Sequence, residues 1–175
     1  MDESQLGATT RATLKTNMGD IVLELFTEKM PVTTGNFIAL AQEDFYDNTK
    51  FHRVISNFMI QGGDPLTKDD TKQAMWGTGG PDQNIQDEFV DGLSNVRGTI
   101  AMANTGAPNS GGSQFFINLV DNTNLDFDKQ PLTSKHPVFG YVVEGMDIVD
   151  AIGAVQTGQA DRPVEPVVIE DIVIQ

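Results

Sequence analysis

The chain has 175 residues, no cysteine and a formal net charge of −14 at pH 7. A chain of this length usually forms one domain, which can bury about two-thirds of the surface that the unfolded chain exposes. The lack of cysteine excludes disulfides, thiolate metal sites and cysteine nucleophiles, and the acidity disfavours nucleic acid and anionic membranes as partners.

The excess of acidic residues admits two interpretations. Twenty-five Asp and Glu against eleven Lys and Arg suit an ordinary soluble protein. They equally suit a protein adapted to high salt, where ions screen the mutual repulsion of carboxylates. The first residues are polar and acidic, unlike a secretory signal, and no run approaches the about 18 apolar residues of a membrane span. We therefore expect a cytoplasmic protein with no membrane partner, although a matured secreted form would have the same sequence features.

The first predicted elements are a β-hairpin and a helix. The hairpin covers 12–25, with its turn at 17–20, because apolar residues recur at every second position. The helix begins at Pro31, a residue that suits the first helical turn, and Gly35 should weaken it by up to about 1 kcal/mol relative to alanine. The apolar positions are Ile21, Leu23 and Leu25 in the hairpin and Phe37, Leu40 and Ala41 in the helix.

Short strands separated by turn residues make up most of the remaining chain. We predict strands over 51–55, 58–62, 98–103 and 114–119, a second helix over 146–152 and a closing strand over 166–174. The Gly- and Asp-rich stretch 65–87 is predicted as a long surface loop, and loops of that length often carry function. Many short strands with only two helices favour a closed antiparallel β structure.

Two segments carry the most information about function. The first runs from Phe51 to Asp64 and sets Arg53 among large apolar side chains. A cation in such surroundings is unfavourable unless it binds something. The second reads GTIAMAN at 98–104 and GGSQFFI at 111–117. Together the two segments resemble the signature motifs of the cyclophilins, the peptidyl-prolyl cis/trans isomerases.

The resemblance implies a fold and a domain organisation. It runs from about Ala12 to the C-terminus, so residues 1–11 are expected to form a flexible N-terminal extension and residues 12–175 an isomerase domain. The domain should be mainly β: a closed eight-stranded antiparallel β-barrel capped by two α-helices, one at each end. Nothing in the sequence indicates an oligomer, and we expect a monomer.

The chemistry of an X-Pro bond defines what such an enzyme needs. Rotation is slow because the twisting amide loses resonance, which gives a barrier of about 18–20 kcal/mol. The prolyl nitrogen becomes pyramidal and gains a lone pair. A catalyst needs a donor that is better placed for the twisted amide than for the planar one, and an apolar pocket for the ring. Lowering the barrier by about 6 kcal/mol would accelerate rotation about ten-thousandfold, and neither a cofactor nor a metal is required.

The resemblance assigns residues of this sequence to those tasks. Arg53 matches the family's catalytic arginine, whose forked donors suit the prolyl nitrogen; the alternative is a surface arginine in an ion pair. Gln61 matches the glutamine that orients the arginine and contacts the substrate backbone. The residues that match the proline pocket are Phe58, Met59, Phe116, Leu125 and His136. Ala103 and Asn104 match a strand edge that binds the substrate backbone. Thr78, Thr105 and Gln114 match a second pocket, for the residue two before the proline, with Gly77–Gly80 as its bordering loop.

Strand parity supports part of this assignment. Met59 and Gln61 share a face of the predicted strand, as do Gln114 and Phe116. Phe58 has the opposite parity to Met59, so its role requires a strand start or a bulge at that point.

One position departs from the eukaryotic cyclophilins. Asn124 stands where they carry a tryptophan that contributes to binding the drug cyclosporin. We therefore expect weakened cyclosporin binding, while proline-containing peptides and flexible or unfolded proteins remain the expected partners.

Other classes of function are disfavoured to different degrees. The only histidines, His52 and His136, show no metal-ligand spacing. A hydrolase built on Ser113 and His136 lacks a nucleophile-elbow sequence around the serine. A module that binds proline-containing peptides without turning them over stays open, although such a module would need the pocket and not Arg53.

Overall fold

The computed structural model describes residues 7–130, 132 and 135–175. The first strand begins at Thr10, within the N-terminal extension predicted from the sequence. Residues 1–6 lie outside the described residues, so the flexibility of that extension stays a prediction.

Nine strands and two α-helices form the described part of the chain. The strands are β1 (Thr10–Thr16), β2 (Gly19–Leu25), β3 (Thr49–Lys50), β4 (Arg53–Ile55), β5 (Met59–Gly62), β6 (Thr99–Met102), β7 (Phe115–Asn118), β8 (Val138–Glu144) and β9 (Val168–Ile174), and the helices are α1 (Pro31–Gln42) and α2 (Met146–Gly153). Short 3₁₀ helices lie at Pro65–Lys68, Asp70–Met75 and Thr123–Leu125, and Gln159–Asp161 forms a turn with non-helical backbone at Ala160. The mainly β class is confirmed, and β8 is a strand that the sequence analysis did not assign.

All nine strands belong to one sheet, in the order β3-β9-β1-β2-β8-β6-β7-β5-β4. Every neighbouring pair is antiparallel, and the β1–β2 hairpin pairs Thr10 with Leu25 and Thr16 with Gly19. The predicted hairpin is therefore confirmed, together with both helices.

The prediction of a closed eight-stranded barrel is wrong. The sheet is curled but open, and its two end strands, β3 and β4, are not hydrogen-bonded to each other. The reason lies at the strand predicted over 51–55: only Arg53–Ile55 is a strand, paired with β5, and the preceding Thr49–Lys50 pairs with β9 instead. Phe51 and His52 between them belong to neither ladder, although the Phe51 N–H donates to the Val167 carbonyl at 2.9 Å. The covalent chain, rather than a ladder, joins the two edges.

The helices pack at opposite ends of the strands. Phe37 of α1 lies against Phe115, at the start of β7, with ring centroids 5.7 Å apart. The last residue of α2, Gly153, lies close to Leu119, just beyond the end of β7. Burial of Val149 and Ile152 fixes α2 on the sheet, as its amphipathic pattern predicts. The buried face of α1 instead combines Thr33 and Thr34 with Phe37 and Ala41, and Leu40, predicted in that face, is only partly buried. None of the described helices is long and apolar enough to cross a membrane.

The N-terminus of α1 is completed from a distant part of the chain. Pro31 occupies the first helical position, and Met30 before it offers no capping side chain. The Glu88 carboxylate instead accepts hydrogen bonds from the Val32 N–H at 3.2 Å and the Thr33 N–H at 2.9 Å. This acid satisfies two of the backbone donors that every helix leaves open at its start.

Candidate active site

Arg53 and Gln61 face each other across the β4–β5 ladder. They are direct register partners, and Arg53 Nη1 donates to Gln61 Oε1 at 3.4 Å. The arginine side chain is 45% exposed, and its Nε lies 3.9 Å from Asp161 Oδ2. An arginine carries five N–H donors, and these are its only polar contacts with described residues. Most of its donors therefore point toward solvent or a ligand.

Gln61 also takes part in a series of hydrogen bonds between amide groups. Its Nε2 donates to Gln114 Oε1 at 3.0 Å, and Gln114 Nε2 donates to the Gly79 carbonyl at 2.8 Å. Each amide is oriented by the next, so the position of Gln61 beside Arg53 depends on the loop that contains Gly79.

An apolar pocket opens beside Arg53; we call it the Phe116 pocket. Phe116 pairs with Gln61 on one side and with Ala101 on the other, which places its ring on the same face as Gln61. The structure brings nine of the predicted site residues together around this pocket: Arg53, Phe58, Met59, Gln61, Ala103, Asn104, Phe116, Leu125 and His136.

His136 is a fixed wall of the Phe116 pocket. Its ring meets Phe116 edge to face, with centroids 5.3 Å apart, and Nδ1 lies 3.0 Å from the Met102 carbonyl oxygen. Burial lowers the pKa of His136, opposed by the Met102 hydrogen bond. A neutral imidazole suits a pocket wall, because a charged ring would oppose apolar contact there.

Phe58 reaches the pocket because it precedes the strand. β5 begins at Met59, and Phe58 closes a turn with Asn57, whose φ is 57°. The strand start that the parity argument requires is therefore present.

A second pocket adjoins the first; we call it the Thr78 pocket. Gln61, Ala103 and Asn104 line both pockets, so one extended peptide could occupy the two together. The other predicted residues, Thr78, Thr105 and Gln114, all lie in its lining.

Asp64 holds the loop that borders the Thr78 pocket. This carboxylate is fully buried, and it accepts hydrogen bonds from the Gly77 N–H and from the Gly79 N–H, the latter at 3.2 Å. It also accepts from the Leu66 N–H at 2.8 Å. Buried charge is tolerated here because backbone donors surround it. The sequence analysis missed Asp64, although its place directly after two glycines and before Pro65 is typical of a turn and cap residue.

A family model described as cyclophilin-type peptidyl-prolyl cis-trans isomerase/CLD matches residues 11–174. The chain belongs to this family. Peptidyl-prolyl cis-trans isomerase B of Escherichia coli K12 is 45% identical over 169 residues, covering 93% of this chain and 98% of the relative. A peptidyl-prolyl cis-trans isomerase of Streptomyces antibioticus is 48% identical over 162 residues, covering 90% of this chain and 93% of the relative.

Solved cyclophilin structures share the fold. A Cryptosporidium parvum cyclophilin-type isomerase, crystallised in the presence of the dipeptide Ala-Pro, superposes with a TM-score of 0.82 at 31% identity. The comparison covers 94% of this chain and 98% of that one. The present protein is thus a cyclophilin, and relatives named as isomerases match nearly the whole length of this chain.

Buried polar side chains support the Phe116 pocket of this cyclophilin from behind. Asn122 Nδ2 donates to the Phe58 carbonyl at 2.9 Å. Asn95 Nδ2 donates to Asp126 Oδ1 at 2.9 Å and to the His136 carbonyl at 3.1 Å. Fully paired networks of this kind fix their neighbours in place, so two pocket walls are tied to the interior. Sequence reasoning did not find these residues, because an isolated asparagine carries no signal of its partners.

The geometry removes the hydrolase alternative. Ser113 is buried, and its hydroxyl donates to the Gly63 carbonyl at 2.7 Å. The His136 Nδ1 is occupied at the Met102 carbonyl instead. Within 7–130, 132 and 135–175, no group of three His, Asp or Glu residues is placed to hold a metal ion.

Proposed function

We propose that this cyclophilin isomerises X-Pro bonds with the proline ring in the Phe116 pocket and with Arg53 donating to the twisted amide. The observation that carries the proposal is the place of Arg53: a half-exposed cation at the rim of an apolar pocket. The single hydrogen bond to Gln61 is long, at 3.4 Å, and leaves most of its donors unused. A donor in this position can strengthen its contact as the prolyl nitrogen develops a lone pair.

The substrate chain would be held beside the reacting bond by Asn104. The backbone N–H and C=O of Asn104 make no hydrogen bond with another described residue, whereas its side chain donates to the Lys135 carbonyl at 2.8 Å. A fixed residue with two open backbone groups can pair with an extended peptide in the manner of an added strand. The residue two before the proline would then enter the Thr78 pocket.

The expected substrates are proline-containing peptides and flexible or unfolded proteins. Proline binding would be mainly apolar burial against Phe116, Met59 and Leu125, so no charge or cofactor is needed to recognise the ring. A cytoplasmic location and a monomeric state stay predictions from composition. The competing function is a peptide-binding module of the same fold, which would use the pocket without the arginine.

A protease-coupled assay on a short Ala-Pro peptide separates these functions. We expect the protein to accelerate cis-to-trans conversion far above the uncatalysed rate. A rate equal to the uncatalysed one, from folded protein that still binds the peptide, would leave only the binding module.

A further inference from the structure

The loop beside Arg53 contains two consecutive residues in an unfavourable backbone conformation. Ala160 has φ 59° and Asp161 has φ 56°, both in the left-handed region. Neither is glycine; aspartate tolerates this region better than most residues, whereas alanine rarely adopts it because Cβ crowds the backbone. Conformations of this kind persist where the surrounding structure imposes them, often at functional sites.

Contacts on both sides impose the conformation. The ends of the loop are joined by a bridge between Thr157 and Pro163. Arg162 donates from Nη2 to the Gln73 carbonyl at 2.9 Å, and its guanidinium lies 5.0 Å from the centre of the Trp76 ring. The residue directly after Asp161 is thus clamped to the 3₁₀ helix Asp70–Met75 and its neighbour Trp76.

The clamped loop places a carboxylate beside Arg53. Asp161 Oδ2 lies 3.9 Å from Arg53 Nε, with the two side chains 52% and 45% exposed. Gln61 contacts Nη1 instead, so the two partners meet different sides of the guanidinium. An exposed ion pair contributes little to folding stability. Stability alone therefore does not account for a strained loop that delivers this charge.

We infer that Asp161 makes the active site selective for charge in the segment that follows the proline. This inference rests on the proposed function. If the residue two before the proline lies in the Thr78 pocket, the chain enters past Gln61 and Gln114 and leaves on the other side of Arg53, where Asp161 lies. Successive residues of an extended peptide are about 3.3 Å apart, so a side chain just after the proline comes within reach of the carboxylate. The Asp161 charge favours a cationic side chain there and disfavours an anionic one, against the opposite contribution of Arg53.

The test compares three capped peptides, acetyl-Ala-Ala-Pro-Xaa-amide with Xaa as Lys, Gln or Glu, by NMR exchange spectroscopy. This measurement needs no coupling protease. One unit charge about 6 Å away in a water-like dielectric changes an equilibrium about threefold. Asp161→Asn should therefore lower the Lys-to-Glu ratio of kcat/KM at low salt about threefold to tenfold relative to wild type. Asparagine is the suitable replacement because it tolerates the left-handed region.

The matched control is Glu144→Gln. Glu144 also lies 3.9 Å from an arginine nitrogen, Arg11 Nη1, but on β8, four strands from β4 in the sheet order. The Glu144→Gln substitution removes the same net charge as Asp161→Asn. Because Glu144 lies away from β4 in the sheet, the substitution should leave the Lys-to-Glu ratio of kcat/KM as in wild type. An equal ratio in wild type and Asp161→Asn, or an equal change in both variants, would overturn the inference while the isomerase function stands. Failure of wild type to isomerise any of the three peptides would overturn the proposed function itself.

Discussion

The side chain of Arg53 is shared by three environments. Its Nη1 donates to the amide oxygen of Gln61, its Nε lies near the carboxylate of Asp161, and the residue lines the Phe116 pocket. A planar cation with donors on several edges can be oriented by two neighbours and still present donors to a third. An ammonium group, with one point charge, could not do this.

Asn124 should limit the affinity for cyclosporin. The residue is exposed and lies next to Leu125, which lines the Phe116 pocket. Asn124→Trp would add an indole with a large apolar area and an N–H donor at the pocket rim, and we expect tighter binding by about tenfold or more. Titration of wild type, Asn124→Trp and Asn124→Ala with the drug checks this. Equal affinity of wild type and the tryptophan variant would contradict it.

His52 should make the protein less stable in mild acid. It is buried, its Nδ1 has no hydrogen-bond partner, and burial lowers its pKa, opposed by the charge of Asp64. The unfolded state, with a histidine pKa of about 6.5, then binds more protons than the folded state below that pH. The free energy of unfolding should therefore fall as pH drops below about 6.5 and stay level above it.

Urea unfolding at pH 7.5 and 5.5 in molar KCl measures this effect with carboxylate repulsion screened. The loss between the two pH values should be smaller for His52→Gln than for wild type. An equal loss of unfolding free energy in both proteins would show that His52 has the same pKa in the folded and unfolded states.

The sequence predicted the residues that line the two pockets of this site but not the acidic residues around them. The predicted residues from Phe58 to His136 line two adjoining pockets, because the resemblance carries their order and spacing. Asp64 and Asp161 were not found. Asp161 lies far from Arg53 along the chain, and only the folding of a strained loop brings them together. Local patterns do not report such long-range contacts.

Helix α1 contains a glycine that lowers its stability. Gly35 lies in the helix interior, and a Cβ added there would meet nothing within 4 Å. Gly35→Ala should raise the free energy of unfolding by about 0.5–1 kcal/mol, since alanine loses less backbone entropy on folding. Urea unfolding measures the change.

The matched control is Gly145→Ala, before α2. Gly145 has φ 83°, and an added Cβ would collide with the Asp20 backbone carbonyl, so this variant should be destabilised. A lower free energy of unfolding for Gly35→Ala would contradict the prediction that alanine fits this position of α1 without strain.

Helices and strands were predicted where a local sequence pattern specifies them, and missed where a strand depends on hydrogen bonding to a distant partner. The β1–β2 hairpin and both helices follow from apolar period and turn residues. β8 was not assigned, although Tyr141, Val142 and Val143 are strong strand formers; Gly140 interrupts the run. The open edge between β3 and β4 could not be predicted, because hydrogen bonding at Phe51 and His52 depends on neighbours distant in sequence.

The whole molecule carries a net charge of −14, with only eleven lysines and arginines. Several of those cations are already paired at the surface, as Arg97 is with Asp150 at 2.8 Å. Repulsion among the remaining carboxylates should destabilise the compact state at low ionic strength. Molar salt screens it over about 3 Å.

The melting temperature should therefore rise as KCl goes from low to molar concentration. Isomerase activity should persist, because salt does not weaken apolar burial of the proline ring. Sodium chloride serves as a control for specific binding of potassium. A melting temperature that stays flat or falls in both salts would leave the acidity as a matter of solubility and remove the argument for adaptation to high salt.

The most direct test of the account is the isomerase activity of Arg53→Ala, with Arg53→Lys as the variant that keeps the charge. Losing a donor aimed at a developing lone pair lowers turnover by about a hundredfold to a thousandfold, and lysine should be poor because it lacks the planar fork. The melting temperature should hardly change, since the side chain is 45% exposed. We predict that kcat/KM, measured by NMR exchange on acetyl-Ala-Ala-Pro-Gln-amide, falls by at least about a hundredfold in Arg53→Ala. A folded Arg53→Ala protein that isomerises the peptide at the wild-type rate would contradict the account.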